Sequence, residues 1–181
     1  MTEAAEAAPP FEQIVLPHLD AAYNLARWLV RDRSLAEDIV QDAVLRALRY
    51  FPSFRGGDGR AWLLQIVRNT AYSTLKARRP GTEVPVGGGA EDENGEGFGL
   101  DVPDPGPDPE AALAQQQDLA RLDAALAALP IELRECLVLC ELEKLSYKDI
   151  ARVTQVPIGT VMSRLWRARR ALMRLHAVGG F

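Results

Sequence analysis

A single stretch, Pro80–Pro109 (PGTEVPVGGGAEDENGEGFGLDVPDPGPDP), divides this chain before any periodicity is considered. It is built from Gly, Pro, Asp and Glu and nearly lacks large apolar side chains. A segment of that composition cannot bury enough apolar surface to offset its own ordering entropy. About thirty residues without secondary structure do not belong inside a compact domain. The chain must therefore form two small units, with a linker over 81–108 between a first domain at 11–80 and a second at 109–177.

Both units read as helical, because neither shows the alternation that strands need and no internal repeat appears. In the first, Ile14, Leu19, Ala22, Leu25, Ala26, Leu29 and Val30 recur at helical spacing, in a helix that starts after Pro17. A second helix opens with SLAE, where Ser34 and Glu37 have capping-box spacing. Its apolar stripe is Ala36, Ile39, Val40, Ala43, Ala47, Leu48 and Phe51, and Pro52 stops it. A third runs from about Arg60 to Arg79, with Leu63, Leu64, Val67, Ala71 and Leu75 as its core face. Beyond the linker come an alanine-rich helix from about Pro109 to Leu129 and another over Ile131 to Leu145. SYKDIARVTQV follows, capped by Ser146 and Asp149, and then the long basic helix PIGTVMSRLWRARRALMRLH. The turn between these last two, Thr154 to Pro157, marks a helix-turn-helix. The fold class expected is all-α, in two small domains.

With 48% hydrophobic and 25% charged residues, the composition is that of a soluble globular protein. No apolar stretch approaches the roughly 20 residues that span a bilayer, and the N-terminus is acidic. Membrane insertion is not expected, and the expected compartment is the cytoplasm. Two cysteines, Cys136 and Cys140, and two separated histidines, His18 and His176, provide neither a disulfide scaffold nor a metal set. The cysteines read as small buried hydrophobes. FRGGDGR lacks the Lys-Ser/Thr end of a phosphate loop and follows no strand, so nucleotide hydrolysis is not expected. No nucleophile stands beside a poised base. The chain reads as a protein without catalytic residues or cofactor.

The net charge of −4 conceals an uneven distribution. Residues 1–80 carry 11 basic and 9 acidic side chains, whereas 81–110 carry 9 acids and no base. Residues 111–143 hold 2 bases against 6 acids, and 144–176 hold 8 bases against 1 acid. Screening confines each charge to about 8–10 Å, so a polyanion senses the basic end rather than the total.

Three helix faces carry more than packing. On the last helix Val161, Leu165, Ala168, Leu172 and Leu175 form the buried stripe, which leaves Thr160, Ser163, Arg164, Trp166, Arg167, Arg170 and Arg174 for contact. Hydroxyls and guanidinium forks near a helix start suit the edges of duplex bases. On the third helix Trp62, Gln65, Asn69, Tyr72, Lys76 and Arg79 recur at alternating steps of 3 and 4. Rings alternating with amides and cations suit unstacked bases, although the same rings can also pack against the first two helices. On the second helix Asp38, Gln41, Asp42, Leu45 and Arg49 lie away from the core, either as a solvated face or as a protein-binding one.

SLAEDIVQDAVLRAL, FRGGDGRAWLLQIVRNTAYSTLKARR and LSYKDIARVTQVPIGTVMSRLWRARRAL, in that order around an acidic linker, resemble a bacterial sigma factor of the extracytoplasmic-function group. The resemblance covers nearly the whole chain. It implies a first domain (sigma region 2) that binds the β′ clamp helices of core RNA polymerase and melts the minus-ten element. It implies a second (region 4) that binds the β flap and reads minus-thirty-five duplex DNA. Asp38, Gln41, Asp42 and Leu45 then belong to the polymerase-binding helix. Phe54, Arg55, Arg60, Trp62, Gln65, Asn69, Tyr72, Lys76 and Arg79 face single-stranded minus-ten DNA, with Asn69 in a pocket for a flipped base walled by the loop from Phe54 to Gly59. Thr160, Ser163, Arg164, Trp166, Arg167 and Arg170 face minus-thirty-five DNA, and Met162 stands where some relatives have an arginine. The linker resembles a connector threaded toward the RNA path, and an anti-sigma partner is implied as well. The alternative is a stand-alone helix-turn-helix regulator that binds DNA without polymerase.

Overall fold

The computed structural model describes residues 10–78 and 120–178, the side chains of 175–178 excepted. Among the described residues all regular structure is helical. The helices are α1 (Phe11–Val15), α2 (Leu19–Val30), α3 (Arg33–Tyr50), α4 (Gly59–Arg78), α5 (120–127), α6 (Ile131–Glu141), α7 (Tyr147–Thr154) and α8 (Ile158–Val178). Short 3-10 turns lie at Leu16–His18 and Phe51–Ser53. The linker expected over 81–108, the start of the helix expected from Pro109, Arg79 and the Leu175 side chain lie outside the described residues.

Pro17 sits at the start of the 3-10 turn that leads into α2, where its missing N–H costs no helical hydrogen bond. On α2 the expected stripe is buried from Ala22 to Val30, but Ala21 and Trp28 are buried as well. The reason is that α2 is enclosed, by α3 and α4 from the first half and by α6 from the second.

The start of α3 differs from the expectation. Arg31 takes the left-handed conformation that ends α2 (φ 58°), and Asp32 is extended and accepts the Leu35 N–H at 2.8 Å. Asp32 is therefore the cap and Ser34 lies inside the first turn. A carboxylate two residues upstream, next to the positive end of the helix dipole, takes the role expected of the hydroxyl. Asp32→Ala should cost about 1 kcal/mol of stability in urea denaturation, whereas Ser34→Ala should stay within about 0.5 kcal/mol. The α3 stripe is corrected at Leu48, which is 54% exposed. Its spacing from Gln41 and Leu45 puts it on their face rather than with Ile39, Ala43 and Ala47.

In the second half, Arg134 is buried and its Nη1 donates to the carbonyls of Leu126 (3.4 Å) and Ala127 (3.1 Å), closing the C-terminal end of α5. Ser146 caps α7 as expected, accepting the Asp149 N–H at 3.2 Å. Gln155 ends α7 with φ 56°, and α8 begins after Pro157. Ile150, Val153, Val161, Leu165 and Ala168 seal the corner. The two halves also touch: α4 packs on α7 and α2 on α6, and the buried side chains of both form one continuous core.

Candidate nucleic-acid interface

The α7–turn–α8 unit turns one face of α8 outward. Ser163, Trp166, Arg167 and Arg170 are exposed on it, and Thr160 is half-buried at its start. Ser163 Oγ donates to the Thr160 carbonyl at 3.0 Å, and Arg167 Nε to the Ser163 carbonyl at 3.4 Å. The Arg170 guanidinium lies 4.9 Å from the centre of the Trp166 ring, an arrangement that holds a cation and an aromatic surface together. Met162 is exposed beside them.

Arg164 does not share this face. Its Nη1 is 3.2 Å from Glu135 Oε1 and its side chain is only 16% exposed. The expectation of a guanidinium presented to DNA is corrected here, because Glu135, fully buried on α6, holds it inward. The other oxygen of Glu135 binds Arg68 of α4 at 2.8 Å. Burial pushes the Glu135 carboxyl up, against the pull of Arg68 and Arg164. Its neighbour Cys136 is fully buried, and burial together with the Glu135 charge pushes that thiol up to about 11. Burial likewise raises the half-buried Cys140. Protonated thiols in such sites act as small apolar groups, in line with the sequence reading.

At the start of α4 the loop is shaped by Gly56 and Gly57, whose φ values of 85° and 100° suit glycine. Asp58 accepts the N–H groups of Arg60 and Ala61 at 2.9 and 3.2 Å and so caps the helix. The loop aromatics are interlocked. Phe54 stacks on Phe51 at 6.1 Å and lies 4.8 Å from Trp62, while Phe11 meets Phe51 edge-on at 5.4 Å. Phe54 and Trp62 are accordingly half-buried rather than free stacking surfaces. Along the same face Asn69 and Lys76 are exposed, Gln65 is half-buried, and Tyr72 lies half-buried beneath the Arg68 guanidinium at 4.4 Å. Arg55 is exposed in the loop, whereas Arg60 turns toward Glu143 and forms an ion pair with it.

On α3, Asp38, Gln41 and Leu45 share an exposed face. Asp42 is half-buried and pairs with Arg46 at 2.9 Å. Exposed Leu48, expected on the core stripe from its apolar character, extends the apolar part of this face. Glu135 and Glu143 had no local signal either, since each is defined by arginines more than 25 residues away in sequence. No helix among the described residues is long and apolar enough to cross a membrane.

Both halves of the chain match known proteins. The family model for sigma-70 region 2 matches residues 14–80, and that for sigma-70 region 4 matches residues 119–172. The RNA polymerase sigma-H factor of Pseudomonas aeruginosa is 36% identical over 165 residues, spanning 90% of this chain and 83% of its own. The ECF RNA polymerase sigma-E factor of Escherichia coli K12 is 35% identical over 140 residues, 75% of this chain and 70% of its own. Among solved structures, the sigma factor RpoE of Bartonella quintana, crystallised with the anti-sigma factor NepR, superimposes with a TM-score of 0.67 at 28% identity. That match covers 93% of this chain and 97% of RpoE. With both regions present in order and relatives alike over most of their length, the chain belongs to the extracytoplasmic-function group of sigma-70 RNA polymerase sigma factors.

Proposed function

We propose that this sigma factor directs core RNA polymerase to a set of promoters and assists duplex opening there through binding energy alone. The observation that carries the reading is the presence of both sigma-70 regions, in order, in a chain 36% identical to a sigma factor across 83% of the latter's length. In this reading the outer face of α8 enters the minus-thirty-five major groove. Thr160, Ser163, Trp166, Arg167 and Arg170 are its contacts, with cations on phosphates setting register and forks on base edges setting choice. Asn69 and Lys76 on α4, with Tyr72 between them, Gln65 one turn earlier and Arg55 in the loop, receive the opened minus-ten strand. The Phe54–Trp62 block supports the loop as the wall of a flipped-base pocket. The face of Asp38, Gln41, Asp42 and Leu45, enlarged by Leu48, docks on the β′ clamp helices, and region 4 docks on the β flap. An anti-sigma partner covering these surfaces belongs to the same reading, supported by the likeness to RpoE crystallised with NepR.

Run-off transcription with core polymerase on a genomic promoter library tests the reading. Discrete transcripts that require the protein are expected. Tight, sequence-specific binding by the free protein, unchanged by core enzyme and without transcripts, would instead establish a stand-alone regulator. Asn69→Ala should leave core binding intact while lowering permanganate reactivity of minus-ten thymines about fivefold, the equivalent of one lost hydrogen bond. Reactivity equal to wild type would remove Asn69 from the pocket.

A further inference from the structure

We infer that Ile158 and Met162, in an apolar row completed by Trp166, select thymine methyl groups in the minus-thirty-five major groove, so that methyl contact sets base preference beside the serine and arginine contacts. The three side chains are 45%, 54% and 59% exposed and recur every fourth residue, which puts them on one flank of the outer face of α8. Single apolar side chains on a surface need no explanation, but three in register at the start of a helix, rimmed by polar groups, mark a contact site. The row borders Ser163, Arg167 and Arg170, and the Arg170 guanidinium lies 4.9 Å from the centre of the Trp166 ring. Residues 144–176 carry 8 bases against 1 acid, so the row fits a polyanion that also offers apolar groups. Gly159 points the same way. It is exposed, a Cβ there would meet nothing within 4 Å, and its φ is not positive. Glycine weakens a helix relative to alanine and nothing inside the chain calls for it here, whereas a bare Cα lets the helix start approach a ligand closely.

Base chemistry narrows what the row can read. With α8 in the major groove, a placement that rests on the proposed function, every base edge offers hydrogen-bonding groups, and the C5 methyl of thymine is the one apolar substituent. Ile158 has no side-chain donor or acceptor and Met162 only a weak thioether acceptor. Neither can pair with N7 and O6 of guanine or with N7 and N6 of adenine, and covering those edges would desolvate polar atoms without compensation. Against a methyl group, burial is favourable on both sides. Residues four apart are separated by about 6 Å along a helix, and successive base pairs by about 3.4 Å. On a helix laid along the groove, Ile158 and Met162 therefore meet methyls about two base pairs apart.

The test uses holoenzyme, assembled from the full chain and core polymerase, on duplexes selected from a library randomised at minus-thirty-five. Deoxyuridine then replaces each thymidine singly, which removes the methyl and leaves every hydrogen-bonding group in place. Wild-type binding should fall about fourfold at each of two positions about two base pairs apart, the effect of one buried methyl. Met162→Ala should abolish the uracil effect at one position and Ile158→Ala at the other, with denaturation midpoints near wild type because both side chains are exposed. Met162→Arg should move the selected base from thymine to guanine, since a guanidinium forks onto N7 and O6. Uracil that binds as tightly as thymine at every position, or uracil effects that persist in both alanine variants, would overturn the methyl reading and leave the proposed function standing. Weaker capture of core polymerase by Met162→Ala, with uracil sensitivity unchanged, would overturn it in favour of a protein occupant. A wild-type holoenzyme that enriches no sequence at all would remove the proposed function, and this inference with it.

Discussion

Replacing Glu135 with alanine is expected to lower the unfolding free energy by about 3–5 kcal/mol, because it strips the shared partner from two guanidiniums at once. Glu135 is fully buried, and the Arg68 and Arg164 side chains are 14% and 16% exposed. An arginine in such a site keeps its charge, so without the carboxylate each must either rotate to water or remain uncompensated in a low-dielectric pocket. Glu135→Gln retains hydrogen-bond acceptance but not the charge, and should fall between alanine and wild type. The contrast is Glu141→Ala, which removes a 2.7 Å pair with Arg169 whose side chains are 49% and 44% exposed. Solvent screens that pair, and the loss should be within about 1 kcal/mol. Urea denaturation followed by far-UV circular dichroism measures all three. Equal, small losses for Glu135→Ala and Glu141→Ala would show that the buried network contributes no more than a surface pair.

The helices themselves were legible because their signals are local. Apolar spacing marked the core faces of α3, α4 and α8, and Ser146 with Asp149 marked the start of α7. Two departures are local and two come from partners distant in sequence. Ser34 had the right spacing for a cap, but the tight turn formed by Arg31 and Asp32 fixed the start of α3 upstream of it. Leu48 matched an apolar stripe by composition, yet the angle between residues puts it with Leu45 on the exposed side. Arg60 and Arg164 looked like free cations because nothing local opposes them. Glu143 and Glu135, 83 and 29 residues away, decide otherwise. By spacing, the aromatic stripe of α4 is open to two fates, and the structure divides it. Trp62 joins a ring cluster with Phe51 and Phe54, while Asn69 and Lys76 are left exposed. The contact between the halves had no sequence signal beyond the opposite charge of two segments, which sets attraction without setting geometry.

Arg167 and Arg164 lie one turn apart on α8, and their environments predict opposite consequences for the same substitution. Arg167 is exposed on the outer face with Ser163 and Trp166, and its Nε donates to the Ser163 carbonyl. Arg167→Ala should leave the denaturation midpoint unchanged and cost about 1–3 kcal/mol in holoenzyme binding to minus-thirty-five DNA, with relaxed preference at one base pair. Arg167→Lys should recover the phosphate-like, sequence-independent part of that affinity but not the preference, because an ammonium cannot present two parallel donors to one base edge. Arg164→Ala should do the reverse. It removes one of two counter-charges from buried Glu135, so the midpoint falls, whereas base preference in the protein that remains folded is unchanged. Footprinting and competition binding on promoter variants, measured beside denaturation of the same proteins, separate the two. A normal minus-thirty-five footprint for Arg167→Ala would strip that residue of its reading role. Altered base preference in a fully stable Arg164→Ala protein would mean that its guanidinium leaves Glu135 for DNA when the chain engages a promoter.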